Sequence, residues 1–168
     1  VITLLSRAEP ASGTVLAEAG LVLAGLALLL VGFGFKVAAV PFHAWTPDVY
    51  QGAPSPPVVW MASGVKVAGF AGLIRVFYLG FPAYQLDWQP IVYALAVVTL
   101  VVGSVLAVVQ TDVKRLLAYS SISHAGFVLV GVQAASDQGA KAALFYLASY
   151  TFMVAGSFGI VALVGRKG

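Results

Sequence analysis

The sequence predicts an all-α, polytopic integral membrane helix bundle of about five transmembrane helices, the first of them broken near Pro41. Three observations predict it. Apolar residues make up 61% of the 168 residues and charged residues only 9%, against roughly 45–50% and about 25% in an ordinary soluble domain. Mean hydropathy is +0.98. Five stretches reach the ~20 mostly apolar residues that a helix needs to cross a bilayer, and none alternates with the period of two that barrel strands show.

One membrane domain is expected over residues 1–168, with spans about 18–52, 57–80, 89–111, 113–134 and 141–165. The chain begins at Val1 and enters its first apolar run almost at once, so a piece of a longer polypeptide is expected. That run lacks the basic start and small-residue cleavage site of a signal peptide. The first span contains Lys36 and the second Lys66; the last three carry no charge between Asp87 and Asp112, between Arg115 and Asp137, and between Lys141 and Arg166. Polar connections separate them: YQGAPSPP, GFPAYQLDWQP, QTDVKR and ASDQGAK. With five spans the connections fall alternately on two faces. Arg7, Arg75 and Lys141 lie on one face, and Lys114, Arg115, Arg166 and Lys167 on the other, so the excess of positive charge makes the DVKR face cytoplasmic.

Cysteine is absent and there are two histidines, which excludes disulfides, thiolate-bound iron–sulfur clusters and cysteine-rich zinc sites within this chain. Redox chemistry is therefore expected only in partners, with no redox active site, bound cofactor or metal here. A net charge of +3 without a basic run leaves no footprint for nucleic acid.

Lys36 follows LLLVGFGF with no carboxylate near it in sequence, and an ionisable residue at that depth costs several kcal/mol unless paired, hydrated or neutral. A lysine near a helix end can snorkel, but VAAVPF stays apolar for six further residues. Pro41 removes a backbone donor and clashes with the preceding turn, so the helix is expected to break about one turn after Lys36. Broken helices at membrane depth are tolerated where freed backbone groups line a cavity or are buried in protein. The region of Pro41, His43, Pro47 and Asp48 then reads as a break leading into a short half-helix, HAWTPDVY, ending at GAPSPP. A kinked helix without an ion is the plainer alternative, with His43 serving only to cap freed backbone.

Lys66 lies about nine residues after Pro57, roughly 13 Å along a helix and close to mid-membrane. Its small neighbours in MASGVKVAGFAG permit close helix packing, which hides the amine from lipid. His124, in KRLLAYSSISHAGF, lies ten residues after Lys114, roughly 15 Å from the same face, so Lys66 and His124 are expected at similar depths. Ser120 and Ser123 are expected to join His124 in orienting water, although a histidine among serines also serves as a simple interhelical hydrogen-bonding group. Tyr146, Ser149, Tyr150 and Thr151 form a milder patch that interhelical hydrogen bonding explains. Gly69 with Gly72, and Gly156 with Gly159, read as packing faces.

FKVAAVPFHAWTPDVYQGAPSP, SGVKVAGF and DVKRLLAYSSISHAGF together resemble the antiporter-like proton-translocating subunits of respiratory complex I, in the subunit N branch, over essentially the whole chain. One departure is Pro57, where the family usually carries a valine-like residue. The resemblance implies the central part of such a subunit, with Lys36 beside the break, Lys66 as the central lysine and His124 in a later helix. It implies a proton relay of Lys36, Lys66, His124, Ser120 and Ser123, without catalytic residues of its own. It also implies a glutamate upstream and a lysine downstream that these residues lack. NADH, FMN, iron–sulfur clusters and quinone are implied in partner subunits, other membrane subunits as partners, and the bacterial inner (plasma) membrane as the location. A multisubunit cation/proton antiporter or membrane-bound hydrogenase is the related alternative. Two others are a haem anchor using His43 and His124, and a structural anchor carrying no ion.

Overall fold

The computed structural model describes residues 12–165, with side chains from residue 19 onward. Arg7, Arg166 and Lys167, counted above toward orientation, lie outside the described residues. Helix α1 (Ser12–Val37) buries a single stripe, Leu26, Leu30, Gly34 and Val37, while Leu21, Leu28 and Phe35 face outward. Steps of three and four residues are one face of a 3.6-residue helix, so α1 is an edge helix with one packed side.

The helix ends at Val37, four residues before Pro41. Ala38 takes a left-handed φ of 62°. Ala39 N–H then donates to Gly34 O at 2.8 Å and Ala38 N–H to Phe35 O at 3.2 Å. This pair of bonds is a Schellman closure, which satisfies carbonyls the helix would otherwise leave open. The expected break is present, but it comes one residue after Lys36 and is made by Ala38 rather than by proline. Helix α2 (Trp45–Gly52) is the short half-helix beyond it.

Helix α3 (Ser55–Trp60) holds Pro56 and Pro57 in its first turn, where a missing N–H leaves no helical bond unmade. It runs through a π-helical turn (Met61–Val65) into α4 (Lys66–Arg75) and a second π turn (Val76–Gly80), making one span from Ser55 to Gly80. A 3₁₀ turn (Pro82–Tyr84) leads into α5 (Gln85–Val108). Helix α6 (Val113–Gln133) is capped by Asp112, whose Oδ1 accepts from Arg115 N–H at 2.8 Å. Helix α7 (Asp137–Val164) is capped by Ser136. Five helices are long and apolar enough to cross a membrane, and there is no strand among the described residues.

Helix α6 is the centre, buried on two sides by α5 and α7. Trp88, Val92, Ala96, Thr99 and Gly103 form the inward stripe of α5, and Gly139, Ala143, Leu147, Tyr150, Val154 and Phe158 that of α7. Glycines set the α5–α6 approach. A Cβ on Gly103 would stand 2.6 Å from Ser123 N, and one on Gly126 would stand 2.9 Å from Leu100 N. Gly69 and Gly72 also pack, against Val37 and Phe33 of α1, whereas Gly156 and Gly159 have nothing within 4 Å among the described residues. The expected packing face on α7 is thus carried by Gly139 and Ala143 instead, both against Gly131.

Lys114 Nζ donates to Ala53 O at 3.2 Å, and Arg115 Nη1 reaches Asp48 Oδ1 at 2.6 Å and Gln51 Oε1 at 3.1 Å. These bonds gather the end of α2, the next connection and the start of α6 on one face. At the other end Tyr78 OH donates to Val132 O and Gln89 Nε2 to Gln133 O, each at 2.8 Å. The connections alternate between the faces as five spans require.

Candidate functional site

Lys66 is the first residue after the π turn and is only 3% exposed. A single π turn rotates the downstream residues relative to a continuous α-helix and recurs at functional positions. Here the amine points at α6. Its Nζ donates to Ser121 O at 2.7 Å and to Ser121 Oγ at 2.6 Å. Tyr150 OH donates to the same Oγ at 2.7 Å, and Nζ lies 5.7 Å from the Tyr150 ring centroid, within the range of a cation–π contact. Among the described residues the one ion pair is Arg115 with Asp48, so Lys66 is held by dipoles and a π face rather than by a carboxylate.

His124 lies one turn beyond Ser121. Its ring centroid is 5.0 Å from that of Tyr150, and its Nδ1 is 2.6 Å from Tyr146 OH. Lys66 and His124 therefore both rest against Tyr150, which agrees with the similar depths expected of them. Ser120 and Ser123 do not join this group. Ser123 Oγ pairs with Ser104 Oγ at 2.9 Å, and both α6 serines line a small open pocket toward α5 with Ala107 and Leu116. The buried stripe of α6 runs through Ala118, Ser121, Ile122, Ala125, Leu129 and Val132. With 100° between successive residues, Ser121 falls on that stripe while its two serine neighbours are turned away.

Ser121 and Tyr150 were thus missed as members of the site. The signal was present: Tyr146 and Tyr150 are four residues apart on α7, and only the middle serine of YSSIS shares the spacing of Ala118, Ala125 and Val132.

Lys36 is exposed on α1, in a groove of about 590 Å³ lined by Gly25, Leu28, Leu29, Gly32 and Phe33. Its stem packs on Gly69, whose Cβ would stand 3.2 Å from Lys36 Cγ. Lys36 thus packs on α4 at Gly69, three residues beyond Lys66.

The break itself is closed by side chains. Trp45 Nε1 donates to Phe35 O at 3.1 Å, and Val40 N–H donates to Thr99 Oγ1 at 3.0 Å. Pro47 is buried in the first turn of α2. Asp48 is 72% exposed and paired with Arg115, which places it on the DVKR face rather than beside Lys36. His43 stands 6.4 Å from the Tyr119 ring, and its Nδ1 and Thr46 Oγ1 are buried without a protein partner.

The family model described as NADH:quinone oxidoreductase/Mrp antiporter, transmembrane, matches residues 2–168. The chain belongs to that family. Among curated relatives, subunit N of NADH-quinone oxidoreductase from Parafrankia sp. (strain EAN1pec) is 50% identical over 160 residues, covering 95% of this chain and 30% of that protein. Among solved structures, a chain of respiratory complex I from Thermus thermophilus with bound Aureothin is 43% identical, with a TM-score of 0.71, covering 82% of this chain and 29% of that one. A chain of the Mrp complex from Dietzia sp. DQ12-45-1b is 22% identical with a TM-score of 0.76, over 81% of this chain and 25% of that one, a likeness of fold alone. The chain thus spans about three-tenths of the length of the relatives it matches.

Proposed function

We propose that this segment relays protons across the membrane as part of a subunit of NADH-quinone oxidoreductase, driven by quinone reduction in partner subunits. The observation that carries the reading is Lys66: a buried amine without a carboxylate partner among the described residues, bonded to Ser121 and through it to Tyr150. Burial disfavours the charged form of an amine and a nearby anion restores it. A lysine held this way can take up and release a proton as surrounding charges change. Lys36, facing the open groove, takes protons from elements outside this segment, and Lys66 passes them along. The Lys66–Ser121–Tyr150 bonds form one hydrogen-bonded run and His124–Tyr146 a second, meeting where the His124 and Tyr150 rings approach. Tyrosine and serine hydroxyls both donate and accept, which suits them to hand a proton on.

NADH, FMN, iron–sulfur clusters and quinone belong to partner subunits in this reading, and the assembly lies in a bacterial inner membrane. The cation/proton antiporter reading is less favoured, because its structural likeness falls at 22% identity while the relative named subunit N reaches 50%. The deciding experiment is Lys66→Ala in the full-length subunit within its assembly. The complex assembles and accepts electrons, while coupled turnover and proton pumping fall by about tenfold or more, the effect of ~1.4 kcal/mol on a rate-limiting barrier. Pumping at the wild-type rate and stoichiometry would reject the relay.

A further inference from the structure

Ser121 Oγ already accepts two hydrogen bonds, from Lys66 Nζ at 2.6 Å and from Tyr150 OH at 2.7 Å. A serine hydroxyl has two lone pairs and one hydrogen, and a protonated lysine only donates. With the amine charged, both lone pairs are taken and the serine's own hydrogen needs an acceptor. Ser63, Ser149 and Ser157 turn theirs back on the carbonyl four residues earlier. Ser121 is held forward by Lys66 and Tyr150 instead. The group aimed at it is Tyr50 of α2, whose hydroxyl comes within reach of a side-chain hydrogen bond with Ser121. Tyr50 is 1% exposed and packs in one cluster with Ala118 of α6 and Tyr150, Val154 and Phe158 of α7. Its ring meets that of Phe158 edge-on at 5.9 Å. Ala118 is one turn before Ser121 on the buried stripe of α6, so the ring lies against the helix beside the serine.

We propose that Tyr50 is a positioning residue for Lys66: its oxygen accepts the hydrogen of the Ser121 hydroxyl while the amine is charged, so the half-helix α2 sets how firmly Lys66 holds its proton. A neutral amine has a lone pair of its own, which takes the serine hydrogen and leaves Tyr50 uncalled for. The tyrosine therefore bonds to the charged arrangement more than to the neutral one, and a hydrogen bond that favours the charged form strengthens proton binding. Helix α2 is anchored to keep it there. Thr46, Pro47 and Tyr50 form its buried face, while Asp48 and Gln51 on the outer side bond to Arg115 Nη1 at 2.6 and 3.1 Å. Lys114 Nζ holds the Ala53 carbonyl just beyond, at 3.2 Å.

The role rests on the proton-relay reading, and the test separates the two. Tyr50→Phe keeps the ring and removes the hydroxyl. Pumping is measured against pH at equal electron input in the full-length assembly, for Tyr50→Phe alone and combined with Ser121→Ala. Among the described residues the titratable and charged groups around Lys66 are Lys36 of α1, Tyr50 of α2, His124 of α6, and Tyr146 and Tyr150 of α7; the variant alters Tyr50 alone. Without a bond that favours the charged amine, Lys66 gives up its proton at lower pH. The alkaline fall of pumping therefore moves down by about half to one pH unit, the worth of one hydrogen bond. With Ser121→Ala present, Tyr50→Phe adds no further shift. A wild-type profile in assembled Tyr50→Phe, a shift to higher pH, or a shift undiminished by Ser121→Ala overturns the proposal. If Tyr50→Phe fails to assemble, electron cryomicroscopy of the wild-type assembly decides: Tyr50 Oη within hydrogen-bonding distance of Ser121 Oγ supports the proposal, and a longer separation overturns it. Lys66→Ala in the same assay tells the readings apart. If it pumps as the wild type does, the relay reading falls and this one with it; if it loses pumping while Tyr50→Phe keeps the wild-type profile, only the role of Tyr50 falls.

Discussion

Lys66 Nζ lies 2.6 Å from Ser121 Oγ, the same oxygen that accepts from Tyr150 OH at 2.7 Å. Ser121 is therefore the joint between the second span and α7, and it is the smallest side chain in the group. Ser121→Ala leaves the amine with the Ser121 carbonyl alone and strips the buried Tyr150 hydroxyl of its acceptor. Leaving a buried group unsatisfied costs ~1–3 kcal/mol. The expected outcome is a shorter heat-inactivation half-life of the assembled complex together with slower pumping. Retention of both would show that Ser121 is spectator packing.

The α5–α6 contact depends on Gly103. An added methyl there meets the backbone of Ser123 at 2.6 Å from N and 2.9 Å from Cα, and backbone within a helix has little freedom to retreat. Gly103→Ala is expected to destabilise by about 1–3 kcal/mol, the usual effect of overpacking. Gly156→Ala meets nothing within 4 Å among the described residues and gains helix propensity. The pair is read by thermal inactivation: Gly103→Ala lowers the midpoint and Gly156→Ala leaves it unchanged or raises it.

Much of this arrangement was legible in the sequence because a bilayer imposes length and polarity so strictly. Five spans, the alternation of their connections, the half-helix after Lys36 and the burial of Lys66 all came from apolar runs and their interruptions. The position of the break did not, because Pro41 drew attention to itself while Ala38, an ordinary helix former, took the left-handed φ. The partners of Lys66 were obscured for a similar reason. An i,i+4 ladder from Ser120 to His124 is equally regular whichever face of α6 is buried, and only the packing against α7 selects Ser121.

Ala38 gives a prediction opposite in sign to most. A left-handed conformation costs an L-residue roughly 1–2 kcal/mol, whereas glycine adopts it freely and loses instead through the greater freedom of the unfolded chain, about 0.4–1 kcal/mol. Ala38→Gly is expected to stabilise the break by about 0.5–1 kcal/mol. Ala38→Val, with a β-branched side chain at φ 62° and full burial, lowers stability by more than that. A Gly variant less heat-resistant than wild type would place the strain elsewhere.

Thr99 is the residue whose role is hardest to see from sequence and easiest to test. It lies in α5 within VVTLVVG, an apolar run where threonine reads as another β-branched filler, and it is fully buried. Its Oγ1 accepts from Val40 N–H at 3.0 Å, a donor that the break has removed from any helix. Thr99→Val preserves volume and shape while removing that acceptor, so the cost is the desolvated N–H of Val40, about 1–3 kcal/mol. Thr99→Ser restores the oxygen and is expected to recover most of the loss. Because the bond pins the turn to α5, the valine variant also loosens the segment that carries Lys36 and His43, and amide hydrogen exchange at residues 38–44 rises. If Thr99→Val leaves both heat resistance and exchange as in the wild type, the Val40 N–H has another acceptor and the break is held by Trp45 and Phe35 alone.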